Sequence, residues 1–340
     1  MNKNAELPPH FTARHGTDDD IPAAVELFNR FSQHYLGVRE VEVDDVKNEW
    51  TMPGFNPETD THLVFSREGN LVGYVEVWMN ETPLVHPWVW GRVHPDFERR
   101  GIGNYLMAWA EGRARDALPQ SPPELRVAYR TGCYSVVEPC ARLMQSLDLP
   151  LIRHSFRMRV ELDSAPPAPV WPEGITVRTP DDVYSEIEAI YQADDEVFQD
   201  HFGYVQQPYE QGLAQFRHHF AENEAYNDPS LWFLAMDGDE IAGICLCRKY
   251  GYEDKQGGYV SSLGVRRPWR KRGIGLALLQ HAFGEYYRRG YHSVSLGVDA
   301  ENLTGALRLY EKAGMHVHRQ FDLYEKELRP GKEISVESLG

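Results

Sequence analysis

The sequence predicts an α/β (α+β) fold built twice in tandem, on three observations. A strand, a short loop and a glycine pair opening a helix occur at 259–276 and, in weaker form, at 88–103. Around each, the same run of strands and helices recurs in the same order. Between the runs lies a proline-rich break, 163–174, with Pro166, Pro167, Pro169 and Pro172, which is the composition of an interdomain linker. The repeat is in register residue by residue: Val93, Arg100, Gly101, Ile102 and Gly103 stand at the same offsets as Val265, Arg272, Gly273, Ile274 and Gly275. This divides the chain into a first domain 1–162, a linker 163–174, a second domain 175–328 and a tail 329–340.

In the first half, residues 11–14 read as a short strand, and Thr17 with Asp18, Asp19 and Asp20 as a helix start. That helix runs from Ile21 to about Tyr35, with Val25, Leu27, Phe28 and Phe31 partly periodic. A loop follows around Pro53 and Pro57. Strands 61–66 and 71–77 flank a hairpin turn at 67–70, and strand 88–93 leads into the glycine loop. A helix carrying Tyr105, Leu106, Trp109 and Ala110 extends to about Ala117, and strands 125–129 and 155–162 complete the set. In the second half come strand 175–178, a helix opened by Asp181 and Asp182 that runs to about Phe198, and a helix over 210–221. Strands 231–236 and 240–249 enclose Asp237, Gly238 and Asp239. Strand 260–265, the helix from Ile274, strand 293–298 and helix 303–313 follow, with two closing strands around Val317 and over 322–327.

Bulk properties narrow the function. The 340 residues carry a formal net charge of -16, which repels nucleic acid and anionic membranes and suits a cationic acceptor or simply a soluble surface. No apolar run reaches membrane-spanning length, and Met1 to His10 lacks a signal-peptide core. Cys133, Cys140, Cys245 and Cys247 form no metal pattern, and Cys245 and Cys247, two apart in an apolar strand, share one face. These features fit a cytoplasmic protein, monomer or homodimer.

The stretch 259–276 carries the chemistry. A strand feeding a glycine-rich helix start leaves backbone N–H groups unpaired, and the helix dipole adds positive charge there, so a phosphate is the natural ligand. No third glycine follows, as a dinucleotide fingerprint requires, and no Gly-Lys-Ser/Thr, as a P-loop requires. Arg270, Gly273 and Gly275 instead resemble motif A of the GNAT superfamily of N-acetyltransferases. Asn302, Ala306, Leu309, Tyr310 and Gly314 resemble its motif B. The tandem arrangement resembles the mycothiol-synthase-like group, in which the C-terminal domain does the chemistry. The resemblance implies two mixed, mostly antiparallel sheets flanked by helices, and direct transfer of acetyl from acetyl-CoA to a small amine, with no metal. Backbone groups of Leu263, Gly264 and Val265 would bind the pantetheine arm and polarise the thioester. The N–H groups from Arg270 through Lys271, Arg272, Gly273, Ile274 and Gly275 to Leu276 would take the pyrophosphate. Tyr310 would protonate the departing sulfur, and Asn302 would hold the cofactor or an ordered water.

The halves are unequal. Glu98 replaces Arg270, Met144 replaces Tyr310, Asp148 replaces Gly314 and Val136 replaces Asn302, so the first domain lacks a proton donor and reads as structural or weakly binding. The general base is open. Glu253 and Asp254 precede the central strand, although a solvated hairpin tip fits them as well. Asp299 and Glu301 end the next strand. Asp200 and His201 resemble an acceptor-side loop, a carboxylate orienting an imidazole, and equally an ordinary helix-ending turn. Tyr204, Tyr209 and Trp232 are candidates for the acceptor pocket, although scattered aromatics are more often core. A non-catalytic acyl-CoA sensor and a protein-amine acetyltransferase are the alternatives.

Overall fold

The structure, a computed structural model, describes residues 6–222, 226–251, 253–301 and 305–337, and each half of the chain builds its sheet around one parallel pair of strands. In chain order the first elements are β1 (Thr12–Arg14), α1 (Ile21–Leu36), α2 (Val43–Trp50), α3 (Pro57–Asp60), β2 (Thr61–Phe65), β3 (Leu71–Trp78) and β4 (Trp88–Val93). There follow α4 (Ile102–Ala114), β5 (Val127–Tyr134), α5 (Glu138–Ser146), β6 (Leu151–Glu161), β7 (Ile175–Arg178), α6 (Val183–Phe198) and α7 (Tyr209–Phe216). The last are β8 (Asn227–Asp237), β9 (Glu240–Arg248), β10 (Gly257–Val265), α8 (Ile274–Arg288), β11 (Ser293–Asp299), α9 (Ala306–Lys312) and β12 (His316–Arg329).

Two compact units result. Unit 1 comprises the residues up to Arg153 together with Phe321–Ile334, and unit 2 comprises His154–Gln320 with the residues from Ser335. In unit 1 the strand order is β1-β2-β3-β4-β5-β12, antiparallel throughout except for the parallel pair β4 and β5. In unit 2 the order is β7-β8-β9-β10-β11-β6, antiparallel except for the parallel pair β10 and β11. Each sheet is thus mixed and mostly antiparallel, with a helix layer on both faces. In unit 1, α1 and α2 pack Leu27, Phe28, Val46 and Trp50 on one face, while α4 packs Ile102, Leu106 and Ala110 on the other. In unit 2, α6 and α7 bury Ile187, Ile190, Leu213 and Phe216, and α8 buries Leu278, Leu279 and Phe283 opposite them. Cys245 and Cys247 lie together in this last core, their sulfurs 3.6 Å apart, as their spacing predicts.

Local chemistry sets several boundaries. Asp20 accepts from the Thr17 N–H and hydroxyl ahead of α1, and Asp182 accepts from the Tyr184 and Ser185 N–H groups to open α6. Other boundaries differ from the sequence expectation. The short helices α2 and α3 occupy what reads as loop, and α7 ends at Phe216 in a π turn, Arg217–Ala221. The two expected closing strands are one, His316–Arg329. Strand β5 continues past Tyr129 because Arg130, a charge that reads as a strand end, faces Glu325 across the ladder and binds it at 2.9 Å.

The last strand of each unit therefore comes from the far side of the linker: Phe321–Arg329 completes unit 1, and the residues of β6 from Ser155 complete unit 2. In unit 1 an ion network fastens it. Arg126 reaches Glu325 at 2.5 Å, Glu327 at 3.0 Å and Glu333 at 3.1 Å. Burial alone would raise the Glu325 carboxyl, but Arg126 and Arg130 hold it below the usual carboxylate range. Glu325→Ala removes the carboxylate that buried Arg130 shares with Arg126 and is expected to destabilise unit 1 by about 3 kcal/mol in urea unfolding. Because the folded carboxyl titrates below its unfolded value, this contribution is full above the ordinary carboxylate range and is lost as pH falls below that range through the lower, folded pKa. The wild type should therefore lose stability on acidification more steeply than the variant.

Candidate active site

The site begins where two parallel strands part. β10 and β11 pair from Gly257 with Ser293 to Val260 with Leu296, and no further. Beyond a register shift between Val260 and Ser262, β10 stays on β9 up to Val265, while β11 stays on β6 up to Asp299. The backbone of 263–265 that faces away from β9 is thus left without a sheet partner. Leu263 and Val265 turn their side chains to the α8 core, and Gly264 lies on the α6 side against Val197.

The loop from β10 to α8 forms an anion cradle. Lys271 (φ 64°) and Gly273 (φ 91°) are both left-handed, which turns successive N–H groups to one side. Among the described residues, the N–H groups of Lys271, Arg272, Gly273, Ile274, Gly275 and Leu276 find no acceptor, while that of Ala277 returns to Gly273. The Arg270 N–H, expected in the cradle, closes a turn onto the Arg267 carbonyl instead, at 3.3 Å. At Gly275 a Cβ would stand 3.2 Å from Leu309 and 3.6 Å from Val265, so the absent side chain lets α8, α9 and β10 converge.

The Arg270 side chain is a strut. It donates to the Val265 carbonyl at 3.0 Å and to Asp200 at 2.6 Å, and Arg267 takes the other Asp200 oxygen at 2.7 Å. The two arginines hold the Asp200 carboxyl below its usual range. Asp200 therefore ties the end of α6 to the loop and does not orient His201. His201 sits beside Phe198, half-buried, and burial lowers its pKa so that the ring stays neutral near pH 7. Glu253 is no solvated tip: it binds Arg319 at 2.5 Å, with His318 at 3.6 Å, and Asp254 binds His292 at 2.8 Å and Arg159 at 3.2 Å. Asp299 accepts the Glu301 N–H at 3.1 Å, which makes this end a turn. Asn302 lies outside the described residues.

Tyr310, on α9, is buried at 7% exposure, and its hydroxyl makes no hydrogen bond among the described residues. Burial first, then the neighbouring Cys245 and Tyr259, push its pKa well up, so it stays protonated. On the opposite, α6 side, the carboxylate that sequence reasoning missed is Asp194. It accepts from the Ser262 hydroxyl of β10, and burial pushes its carboxyl up to about 7. Beside it Asp195 accepts from the Tyr204 hydroxyl at 2.9 Å, and Glu196 binds Arg266 at 2.7 Å. A signal was present: Asp194 follows Ile187, Ile190 and Tyr191 at helical spacing, a carboxylate on the buried stripe of α6. Of the aromatic candidates, Tyr204 belongs to this cluster, Tyr209 is at the surface, and Trp232 is wholly buried in the core.

Unit 1 repeats the frame with other side chains. β4 pairs with β5 only at Trp88 and Val89 before parting. Arg99 (φ 56°) and Gly101 (φ 86°) repeat the left-handed turns, and Gly103 faces Leu143 and Val93 as Gly275 faces Leu309 and Val265. Where Arg270 meets Asp200, Glu98 accepts from the Tyr35 hydroxyl of α1. Met144 is buried in the core, and Asp148 takes the left-handed position (φ 55°) that Gly314 holds in unit 2. Among the described residues, no helix is long and apolar enough to cross a membrane, and no group of His, Cys, Asp and Glu could hold a metal.

Known proteins share this arrangement. The acetyltransferase (GNAT) family model matches residues 24–120 and again 187–315, once in each half. The mycothiol acetyltransferase of Streptomyces scabiei is 32% identical over 268 residues, 78% of this chain and 80% of its own length. Among solved structures, a GCN5-related N-acetyltransferase from Sphaerobacter thermophilus superposes with a TM-score of 0.79 at 37% identity, covering 96% of this chain and 99% of its own. A tandem GNAT protein from the clavulanic acid biosynthesis pathway shares the fold, with a TM-score of 0.70 at 16% identity over 95% of this chain and all of its own. Parting parallel strands, an open cradle of N–H groups and a double family match lead to one conclusion: the chain is an N-acetyltransferase of the GNAT family, a family whose cosubstrate is an acyl-CoA.

Proposed function

We propose that unit 2 transfers acetyl from acetyl-CoA directly to a small amine. The observation that carries this reading is the parting of β10 from β11, which separates a proton donor, Tyr310, from a carboxylate poised near neutrality, Asp194. The relatives named mycothiol acetyltransferases support acetyl as the group transferred.

An alkylamine arrives protonated, and Asp194 and Asp195 make its approach electrostatically favourable. Asp194, as carboxylate, takes the ammonium proton, and its pKa near 7 suits the transfer at neutral pH. The freed amine attacks the thioester carbonyl. An unpaired backbone N–H within 263–265 stabilises the oxyanion, and the free N–H groups from Lys271 to Leu276 hold the diphosphate. Tyr310 donates its proton to the departing sulfur and is reprotonated by the second proton that the nitrogen of the tetrahedral intermediate sheds, so the two protons lost by the ammonium end on Asp194 and, by way of Tyr310, on the thiol.

Three outcomes test the reading. Calorimetry should find acetyl-CoA bound to the wild type, and Gly275→Glu, which sets a carboxylate among the cradle N–H groups and crowds Leu309, should weaken unit 2 binding by roughly 100-fold. With an amine panel and detection of released thiol, Tyr310→Phe should lower kcat about 100-fold with little change in acetyl-CoA affinity. The wild-type kcat/KM should rise with pH through about 7 as Asp194 ionises, and Asp194→Asn should remove that limb along with at least about 100-fold of the rate. No acetyl-CoA binding, or full turnover in both Tyr310→Phe and Asp194→Asn, would sink the proposal.

A further inference from the structure

Unit 1 lacks the tyrosine of unit 2 but holds a cavity of about 390 Å3 that touches its own glycine loop at Gly101 and Gly103 and is also lined by Arg92, Cys133 and Tyr134. The loop keeps its anion cradle, since the N–H groups from Arg99 to Asn104 find no acceptor among the described residues. Arg92 lies on β4 beyond the last pairing with β5 at Val89, at the offset that Gly264 holds in unit 2. A position with no side chain in one unit thus carries a guanidinium in the other.

Arg92 is poorly compensated. Its guanidinium lies 4.1 Å over the Trp90 ring and 4.6 Å over the Phe31 ring, and it donates to the Gly91 carbonyl at 3.0 Å. It forms no ion pair among the described residues, and burial lowers its pKa. Glu40 and Glu76 act on it only at longer range. Glu76 is itself buried, accepts from Tyr74 and Trp78, and is shifted by burial toward its neutral form. Flat aromatic faces fix the plane of the guanidinium and leave most of its N–H donors unused, a fork that matches a carboxylate. A half-buried cation without a close counter-ion gains from an anion that joins it and fills its free donors.

We propose that this cavity is a second ligand site, distinct from the unit 2 site, which seats a carboxylate on Arg92. That carboxylate is carried either by a small free carboxylic acid or by the far end of an acyl thioester whose diphosphate lies in the cradle. The proposal does not depend on the reading of unit 2.

The test uses the full chain carrying Gly275→Glu, which leaves the unit 1 cradle intact. The probes are a carboxyethyl-CoA thioether, the uncharged propyl-CoA thioether, and succinate. The carboxylated thioether should bind at least about 10-fold more tightly than the propyl one, and Arg92→Met should erase that difference while Arg92→Lys retains part of it. Succinate binding at comparable strength, lost in Arg92→Met, would assign the free acid. Either ligand should slow alkylation of Cys140, which lines the cavity. Equal binding of both thioethers, unchanged by Arg92→Met, overturns the proposal, as does failure of both carboxylates to bind at millimolar concentration. Arg92→Met in the otherwise wild-type chain should keep the acetyl-CoA binding of unit 2, which shows that the variant is folded.

Discussion

The site in each unit depends on one geometric constraint, the separation of two parallel strands that begin as neighbours. A parallel ladder that continued past Val260 and Leu296 would satisfy the backbone of 263–265 and leave no open main chain there. Because β10 shifts register at Val260 and stays with β9, while β11 stays with β6, the two diverge into a cleft whose walls are polar main chain. The glycine loop and helix α8 follow at the open end, so the unpaired N–H groups of a helix start face the same cleft. Strand divergence exposes main-chain groups on one side, and the helix start leaves unpaired N–H groups on the other.

Struts hold this geometry. In unit 2, Asp200 joins two arginines of the loop to the end of α6, and Trp269 donates its indole N–H to Asp237 at 2.7 Å. In unit 1 the bridge from loop to helix is rebuilt as Glu98 with Tyr35, a carboxylate where unit 2 has a guanidinium. Two different pairs meet the same mechanical need, which explains why a residue that looks electrostatically wrong beside an anion site is tolerated. The backbone turns survive the exchange, so the cradle outlasts the loss of the tyrosine in unit 1.

Much of the candidate site was legible in the sequence, and the remainder was hidden for identifiable reasons. Gly273, Gly275 and Tyr310 could be read because backbone conformation and a strand-to-helix order are local properties. The sequence left Asp200 and Glu253 open between readings, because an ion pair with a residue tens of positions away decides what a carboxylate does. Asp194 was overlooked in an acidic run that looks like a solvated helix face, although its position on the apolar stripe set it apart. For Trp232 the sequence leaves pocket and core both open, and packing decides for the core.

By itself the sequence determined the tandem repeat, the glycine turns and most helices and strands, because periodicity, turn chemistry and residue offsets act over short spans. Tertiary structure alone decided which charges are free. Arg130 continues a strand because Glu325, near the other end of the chain, neutralises it. Arg270 became a strut because α6 brings Asp200 within reach, and Asp194 moved toward neutrality because burial on β10 withdraws water from it. In each case the same side chain has a different energy in water and against its partner, and only the fold selects the partner.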